Sequence, residues 1–449
     1  MPGPTDARGT EDSPPFPGEL AGRRAVVMGL GRFGGGEAVA RHLQRLGADV
    51  LVTDLRPPEE LERSIAGLTE AEVSFRLGEH RIEDFTTADL VVVNPAVPHP
   101  WDNPFLLEAR AGNARILTEI RLAVGDHPAK RVIGITGSAG KSTTAAMVQH
   151  ALLKVRPDLR SRLGGNIGGS LLDDPPHSES TLVLELSSFM LHWLAGEATA
   201  SEDRFTPGVA LVTNIAPNHL DWHQSLEHYT ASKQAIFTAS PPCAAPRRVD
   251  PSSSPWRTDL RSELDLSVPG AHNRENAVNA IATIIEHLTL LDGEVSDPHA
   301  IARACATALR DFPGLPHRLE FVGDRRGVRF YNDSKSTTPD ATCLAVDSMP
   351  SARRTHLIAG GYDKGSNLDA IARQAEDLAG LYGIGATEPT ICGHGGEPCG
   401  TLAKAFDRAV ASAREGDVIL LSPGCASWDQ FTDFEARGRT FRELVERLD

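Results

Sequence analysis

Short, nearly unbroken apolar runs recur along the chain, each followed by a longer stretch that reads as a helix. Arg24-Ala-Val-Val-Met-Gly, Val50-Leu-Val-Thr-Asp54 and Leu90-Val-Val-Val-Asn94 form a first group of strands. Arg131-Val-Ile-Gly-Ile, Thr181-Leu-Val-Leu-Glu-Leu and Val209-Ala-Leu-Val-Thr-Asn214 form a second, and Val328–Asn332, His356–Gly360, Thr390–Cys392 and Asp417–Ser422 a third. Strands alternating with helices are the pattern of parallel α/β sheets. The expected architecture is therefore α/β in three domains: a Rossmann-like N-terminal domain over 22–119, a central P-loop mononucleotide-binding domain over 120–312, and a Rossmann-like C-terminal domain over 313–449. Residues 1–21 read as a flexible tail, rich in Pro, Gly and acidic residues and without an apolar signal core. Ala195–Pro207 and Ser240–Trp256 lack an apolar period and read as surface loops.

The length of 449 residues agrees with three domains at about 150 residues each. Lys+Arg number 45 against Asp+Glu 60, a formal charge of −15, which speaks against a mainly electrostatic nucleic-acid binder. No apolar run approaches the roughly 18 residues of a membrane span. Six cysteines without a CxxC pair do not make a disulfide framework, and Cys392 and Cys399 lack the further ligands a zinc site needs. These features describe a soluble protein of a reducing compartment, and a cytoplasmic location is expected.

Gly29-Leu-Gly31-Arg32-Phe33-Gly34 lies between a strand and a helix, with Asp54 ending the next strand 20 residues after Gly34. Glycines let the backbone turn tightly against a pyrophosphate, and the acid can bond a ribose hydroxyl. A nicotinamide cofactor and a nucleotide-sugar diphosphate present the same pyrophosphate, so the motif leaves the nucleotide open.

Thr136-Gly137-Ser138-Ala139-Gly140-Lys141-Ser142-Thr143 is the strongest local signal. Backbone amides of this loop would cradle phosphates, Lys141 would reach the terminal ones, and Ser142 would sit on Mg²⁺. The general phosphate-loop pattern has Gly where Ile135 stands, so this is a shortened variant. Glu185 ends one neighbouring strand, and His219 and Asp221 follow another, all at carboxyl ends where open sheets bind ligands. In the last domain Asn332–Thr337, Gly360–Gly365 and Ser422–Phe434 also follow strands, and Lys335 and Lys364 would make their shared rim attractive to a small anion.

Taken together these motifs resemble the Mur ligases. The resemblance runs from about Arg24 to Leu448 and rests on Thr136–Thr143, Gly164-Gly-Asn166-Ile-Gly168, Glu185-Leu-Ser-Ser-Phe189, Asn214–Asp221, Gly314-Leu-Pro-His-Arg318, Asn332-Asp-Ser-Lys335 and Ser422–Phe434. The last run looks specific to the branch that adds D-glutamate. The resemblance implies ATP, Mg²⁺ (two ions), UDP-N-acetylmuramoyl-L-alanine and D-glutamate as ligands, an acyl-phosphate intermediate, and a monomer. It implies that Gly137, Ser138, Ala139, Gly140, Lys141, Ser142, Thr143, Asn276, Arg318 and Asp333 bind ATP, with Asp333 on the ribose. It implies that Ser142, Glu185, His219 and a carbamylated Lys233 hold metal, and that Lys141, His219, Lys233 and Lys335 act in catalysis. Gly31, Arg32, Phe33, Asp54, Leu55, Arg56, Asn94 and Asn166 would hold the UDP substrate, and Lys335, Thr337, Lys364, Ser427 and Phe434 the incoming glutamate. The family commonly has Asn at the position of Ala139, an acid at that of Asn218 and Gly at that of Ala96, and the stretch between Lys233 and His272 is short for it. A ligase of L-glutamate or of another acceptor, a nicotinamide-dependent dehydrogenase and a nucleotide-sensing protein are the competing readings.

Overall fold

The structure is a computed structural model, and it describes residues 20–31, 34–195, 203–239, 244–257, 260, 264–362 and 365–448. The expected tail lies, but for its last two residues, outside the described residues. Two compact units emerge, one made of residues up to 254 with 282–298, the other of 255–281 with 299 onward.

The first unit holds two sheets. One contains β1 Arg24–Met28, β2 Asp49–Asp54, β3 Val73–Leu77, β4 Leu90–Val93 and β5 Arg115–Leu117, all parallel, in the order β3-β2-β1-β4-β5. The other contains β6 Val132–Thr136, β7 Arg162–Gly165, β8 Leu182–Glu185, β9 Val209–Val212 and β10 Arg247–Arg248, also parallel, in the order β10-β9-β6-β8-β7. Every residue of β4, β6 and β8 is buried, as a strand covered on both faces requires. In each sheet the strand that opens the domain has its later neighbours on opposite sides, β2 and β4 around β1, β8 and β9 around β6. The chain reverses its order there, leaving a crevice beyond the strand's carboxyl end. The glycine-rich turn follows β1 and the phosphate loop follows β6, so both motifs lie at these crevices.

The second unit is built on β11 Glu320–Arg325, β12 Val328–Asn332, β13 Thr355–Gly360, β14 Gly380–Ile384, β15 Glu397–Gly400 and β16 Val418–Leu421, in the order β11-β12-β16-β13-β14-β15. Only β11 runs antiparallel, pairing with β12 across a turn that Gly327 N closes by donating to Asp324 Oδ1 at 3.0 Å.

The three-sheet α/β expectation holds, with local corrections. Thr390–Cys392 is not a strand: Glu388–Ile391 is a short helix, with Pro389 in its first turn, where a fixed φ favours helix over sheet. The strands of that region are β14 and β15. The described part of the Ser240–Trp256 stretch contains β10 and a turn of 3₁₀ helix, Pro251–Ser253. Of the Ala195–Pro207 loop, 196–202 lie outside the described residues, and the end is packed rather than exposed, with Asp203 and Phe205 buried and Asp203 accepting from Arg115. Residues 255–281, expected with the central domain, cluster with the third sheet, where the Tyr331 hydroxyl donates to Ser267 O at 3.2 Å.

Candidate active site

The turn after β1 is shaped by what a side chain would collide with. Gly29 has φ 94°, and a Cβ there would lie 3.0 Å from that of Asn94. A Cβ on Gly36 would clash with Leu30 O, so the helix Gly35–Arg45 packs against the turn only because that position is bare. Asp54 is buried, and its carboxylate accepts from Gly31 N at 3.1 Å and Arg56 N at 2.9 Å. The acid expected on a ribose thus also braces the turn. Leu55 and Arg56 are exposed beside it, and Arg32 and Phe33 lie outside the described residues. Asn94, Gly31 and Asn166 line one cleft of about 270 Å³ with Glu119 and Ser170, so the first domain and the Gly164–Ser170 loop face the same space.

Among the described residues, the loop after β6 is wired more densely. Gly137 has φ 145° and a Cβ there would clash with Thr213 Oγ1, while Gly140 at φ 80° opens the helix Lys141–Val155. Ala139 N donates to Asn214 Oδ1 at 2.9 Å, and Ala139 O accepts from Thr213 Oγ1 at 2.6 Å and Asn214 Nδ2 at 3.1 Å. Ser138 Oγ donates to Ala216 O at 2.8 Å and meets the Tyr229 hydroxyl at 2.8 Å. Lys141 Nζ donates to Ser138 O at 3.2 Å. Ser142 and Thr143 follow in the first turn of the helix.

Lys233 comes up from beneath. It is 2% exposed, Nζ donates to Gly137 O at 2.8 Å, and it lies 4.7 Å from the Tyr229 ring centroid. Burial, reinforced by the charge of Lys141, pushes its ammonium down to about 7, with Glu185 opposing. Glu185 is 1% exposed; Oε1 accepts from Asn166 Nδ2 at 3.2 Å, and Oε2 has no hydrogen-bond partner among the described residues. A buried carboxylate oxygen left unpaired is costly unless a cation meets it. His219 sits at φ 52° with its ring 5.0 Å from that of Phe189. Its imidazolium is disfavoured chiefly by desolvation, with Asp221 opposing. Among the described residues no three His, Cys, Asp or Glu side chains form a ready metal cluster, so Glu185 and His219 alone do not complete one.

In the second unit Asn332, Asp333 and Ser334 leave β12 as a buried hub. Asn332 Nδ2 donates to Glu320 Oε2 at 3.0 Å and Gly438 O at 3.2 Å. Asp333 accepts from Leu319 N at 3.0 Å, Ser336 Oγ at 2.5 Å and Ser422 Oγ at 2.8 Å; burial lifts its carboxyl to about 6 against those bonds. Arg437, 1% exposed, donates to Ser334 O and Oγ, both at 2.9 Å, and to Cys425 O at 3.2 Å and Ala426 O at 3.3 Å. Lys335 Nζ lies 5.6 Å from the Phe434 ring centroid, and Ser427 is buried in the same loop cluster. Thr337 continues the loop from Lys335, and Lys364 lies outside the described residues. Arg318 is exposed between His317 at φ 62° and Leu319 at φ 43°, left-handed positions that residues with a Cβ adopt only under constraint. Asn276 is buried in the helix Ala271–Asp292.

Three family models match consecutive parts of the chain: the Mur ligase MurD-like N-terminal domain over 23–118, the Mur ligase middle domain over 135–263, and the Mur ligase glutamate ligase domain over 317–425. The UDP-N-acetylmuramoylalanine--D-glutamate ligase of Acidobacterium capsulatum is 35% identical over 95% of this chain and 97% of its own length. The chain belongs to the Mur ligase family. The proteins of the same name from Roseiflexus sp. and Clostridioides difficile are 35% and 32% identical, over 95% and 96% of the chain and 99% and 100% of their own lengths. The UDP-N-acetylmuramate-alanine ligase of Thermotoga maritima shares the fold at a TM-score of 0.51 and 20% identity, covering 94% of this chain and 99% of that one.

Several residues that shape this Mur ligase's sites carry no role that sequence alone assigns. Thr213, Asn214 and Tyr229 brace the phosphate loop, and Arg437 knits the last-domain loops. His223 Nε2 pairs with Ser188 Oγ at 2.9 Å, and Trp222 Nε1 donates to Val97 O at 2.9 Å, tying the loop after β9 to the first domain. Asn214 belongs to a recognisable motif, whereas Arg437 has no local signal at all, since its partners lie 11 to 103 residues away. No helix among the described residues is long and apolar enough to cross a membrane.

Proposed function

We propose that the chain joins D-glutamate to UDP-N-acetylmuramoyl-L-alanine at the expense of ATP, a step of peptidoglycan synthesis carried out in the cytoplasm by a monomer. Near full-length similarity to relatives bearing that activity's name carries the reading. The proposed division of labour is UDP substrate on 22–119, ATP on 120–312 and D-glutamate on 313–449.

A carboxylate resists attack by an amine because oxide is a poor leaving group. Transfer of the γ-phosphoryl of ATP to the alanyl carboxylate gives an acyl phosphate; the glutamate amine then attacks the carbonyl, phosphate leaves, and the amine proton passes to solvent or a nearby base. The protein's task is alignment and charge neutralisation. Lys141, at the head of its helix, supplies positive charge to the phosphates. Asn276, Arg318 and Asp333 contribute further ATP contacts. Lys335, Thr337, Lys364, Ser427 and Phe434 receive the amino acid, Lys335 answering its carboxylate.

The donor set fits Mg²⁺: the orphaned Glu185 Oε2 is a hard oxygen ligand in want of a cation, Ser142 offers a hydroxyl, and His219 an uncharged imidazole. Lys233 as an ammonium would repel a cation, whereas its neutral amine adds CO₂ to become an anionic carbamate. Burial that favours the neutral amine supports carbamylation. When bound, Mg²⁺ (two ions on this reading) would neutralise phosphate charge.

Phosphate release from ATP–Mg²⁺ with UDP-N-acetylmuramoyl-L-alanine tests the reading, with D-glutamate, L-glutamate or neither added. Release that requires D-glutamate is expected. Release only with L-glutamate would keep the ligase and overturn the acceptor, and none with either would overturn the substrate pair.

A further inference from the structure

The cleft shared by the first domain and the Gly164–Ser170 loop holds an unexpected charge. Glu119 lies just past β5, at the carboxyl end of the first sheet, and opens the helix Glu119–Val124. Among the described lining residues, which include Gly29, Gly31, Asn94, Asn166 and Ser170, it is the one ionisable side chain. Ser170 Oγ donates to Glu119 Oε1 at 2.5 Å, fixing the carboxylate against the second domain's loop. The same loop is fastened at its other end by Asn166, whose N donates to Glu185 O at 2.8 Å and whose Nδ2 donates to Glu185 Oε1 at 3.2 Å. The loop is thus stretched between two acids, Glu185 and Glu119. A carboxylate offers about four lone-pair sites, and Ser170 takes one. Burial raises the Glu119 carboxyl above its ordinary value, with the Ser170 bond opposing, so a further donor would be needed to settle it as an anion.

An anion in a pyrophosphate cleft repels the phosphates unless it faces another part of the ligand. On the proposed reading, which this inference rests on, the pyrophosphate lies on the Gly29–Gly31 turn and the acyl carboxylate must reach the loop after β6. What lies between is the sugar, which carries neutral O–H and N–H donors. We infer that Glu119, held by Ser170, reads the carbohydrate of the nucleotide-sugar substrate, accepting a hydrogen bond from a sugar hydroxyl or acetamido N–H. It is a specificity residue: it favours a neutral donor at that point and disfavours a further anionic group.

The test is Glu119→Gln, which keeps the shape and an oxygen for Ser170 but removes the charge. Binding of UDP and of UDP-N-acetylmuramoyl-L-alanine is measured by calorimetry on the full chain, beside steady-state kinetics. For the whole substrate, affinity should fall and KM rise by about tenfold, as for a charged acceptor replaced by a neutral one. Affinity for UDP alone and KM for ATP and D-glutamate should stay within about twofold, below the size of one lost hydrogen bond. Equal weakening of UDP and the whole substrate would overturn the inference, as would no weakening of either. Wild-type protein that binds UDP but not UDP-N-acetylmuramoyl-L-alanine would instead overturn the substrate reading beneath it.

Discussion

The two glycine-bearing turns of the first unit follow the same kind of strand at the same kind of crevice, yet they are held differently. Among the described residues, the turn after β1 is supported by backbone packing, by Asp54, which accepts from Gly31 N and Arg56 N, and by Ser64, whose hydroxyl donates to Gly31 O at 2.9 Å. The loop after β6 is gripped by side chains of the β9 loop and by Tyr229, with Lys233 filling the space below. A site that must align a phosphoryl transfer needs its amides fixed before the ligand arrives, because misplacement costs rate directly. A site that only has to bind can be shaped partly by its ligand. On the proposed reading, the denser bracing goes with the turn where chemistry takes place and the lighter one with the turn that recognises the nucleotide-sugar.

The largest effect expected on that contrast comes from beneath the braced loop. Lys233→Ala should lower kcat by about a hundred- to a thousandfold, the scale of losing a preorganised electrostatic group. A short carboxylic acid in the buffer should partly restore it by standing in for the proposed carbamate, and full activity without added acid would rule that carbamate out. Next in size, Asn214→Ala removes two of the bonds at Ala139 and should reduce kcat/KM for ATP by about ten- to a hundredfold, at about 0.7–1.4 kcal/mol per bond. Affinity for UDP should not change; a matching loss there would mean that the two turns are not independently braced.

The smallest effect is on stability. His287 is fully buried, paired with Thr181 Oγ1 at 3.0 Å just before β8, and burial pushes its imidazolium down to about 4. Its folded value lies below the unfolded one of 6.5, so the stability it allows is present above 6.5 and is lost as pH falls through about 4. The full difference is about 3 kcal/mol, at about 1.4 kcal/mol for each tenfold in proton affinity. His287→Gln should move the acid-unfolding midpoint to lower pH, read by circular dichroism, with turnover at pH 7 unaffected. An unchanged midpoint would show that other groups control acid unfolding.

The strands and the phosphate loop are legible in the sequence because each is a local pattern: an apolar run, glycines at fixed places, a lysine opening a helix. Thr390–Cys392 misleads because three apolar-leaning residues carry no period, and Pro389 decides for helix. Strand β10 is two exposed residues and has no apolar signal to find. Lys233 and Arg318 are reached only through the family resemblance; the burial of one and the left-handed neighbours of the other are tertiary facts. Glu119 reads from sequence as no more than a domain boundary, since its meaning depends on Ser170, 51 residues further on.

Arg437 bears on how the protein is made. It belongs to the helix Phe434–Glu446, yet its guanidinium holds the carbonyls of Ser334, Cys425 and Ala426 in place. Ser334 is synthesised 103 residues before the side chain that fastens it, a wait of roughly 5–20 s at ordinary rates of translation. Throughout that interval the phosphate loop already has every partner that braces it, while the proposed acceptor pocket does not. A nascent chain halted short of Arg437 would therefore carry a finished nucleotide loop and an unfastened place for the amino acid.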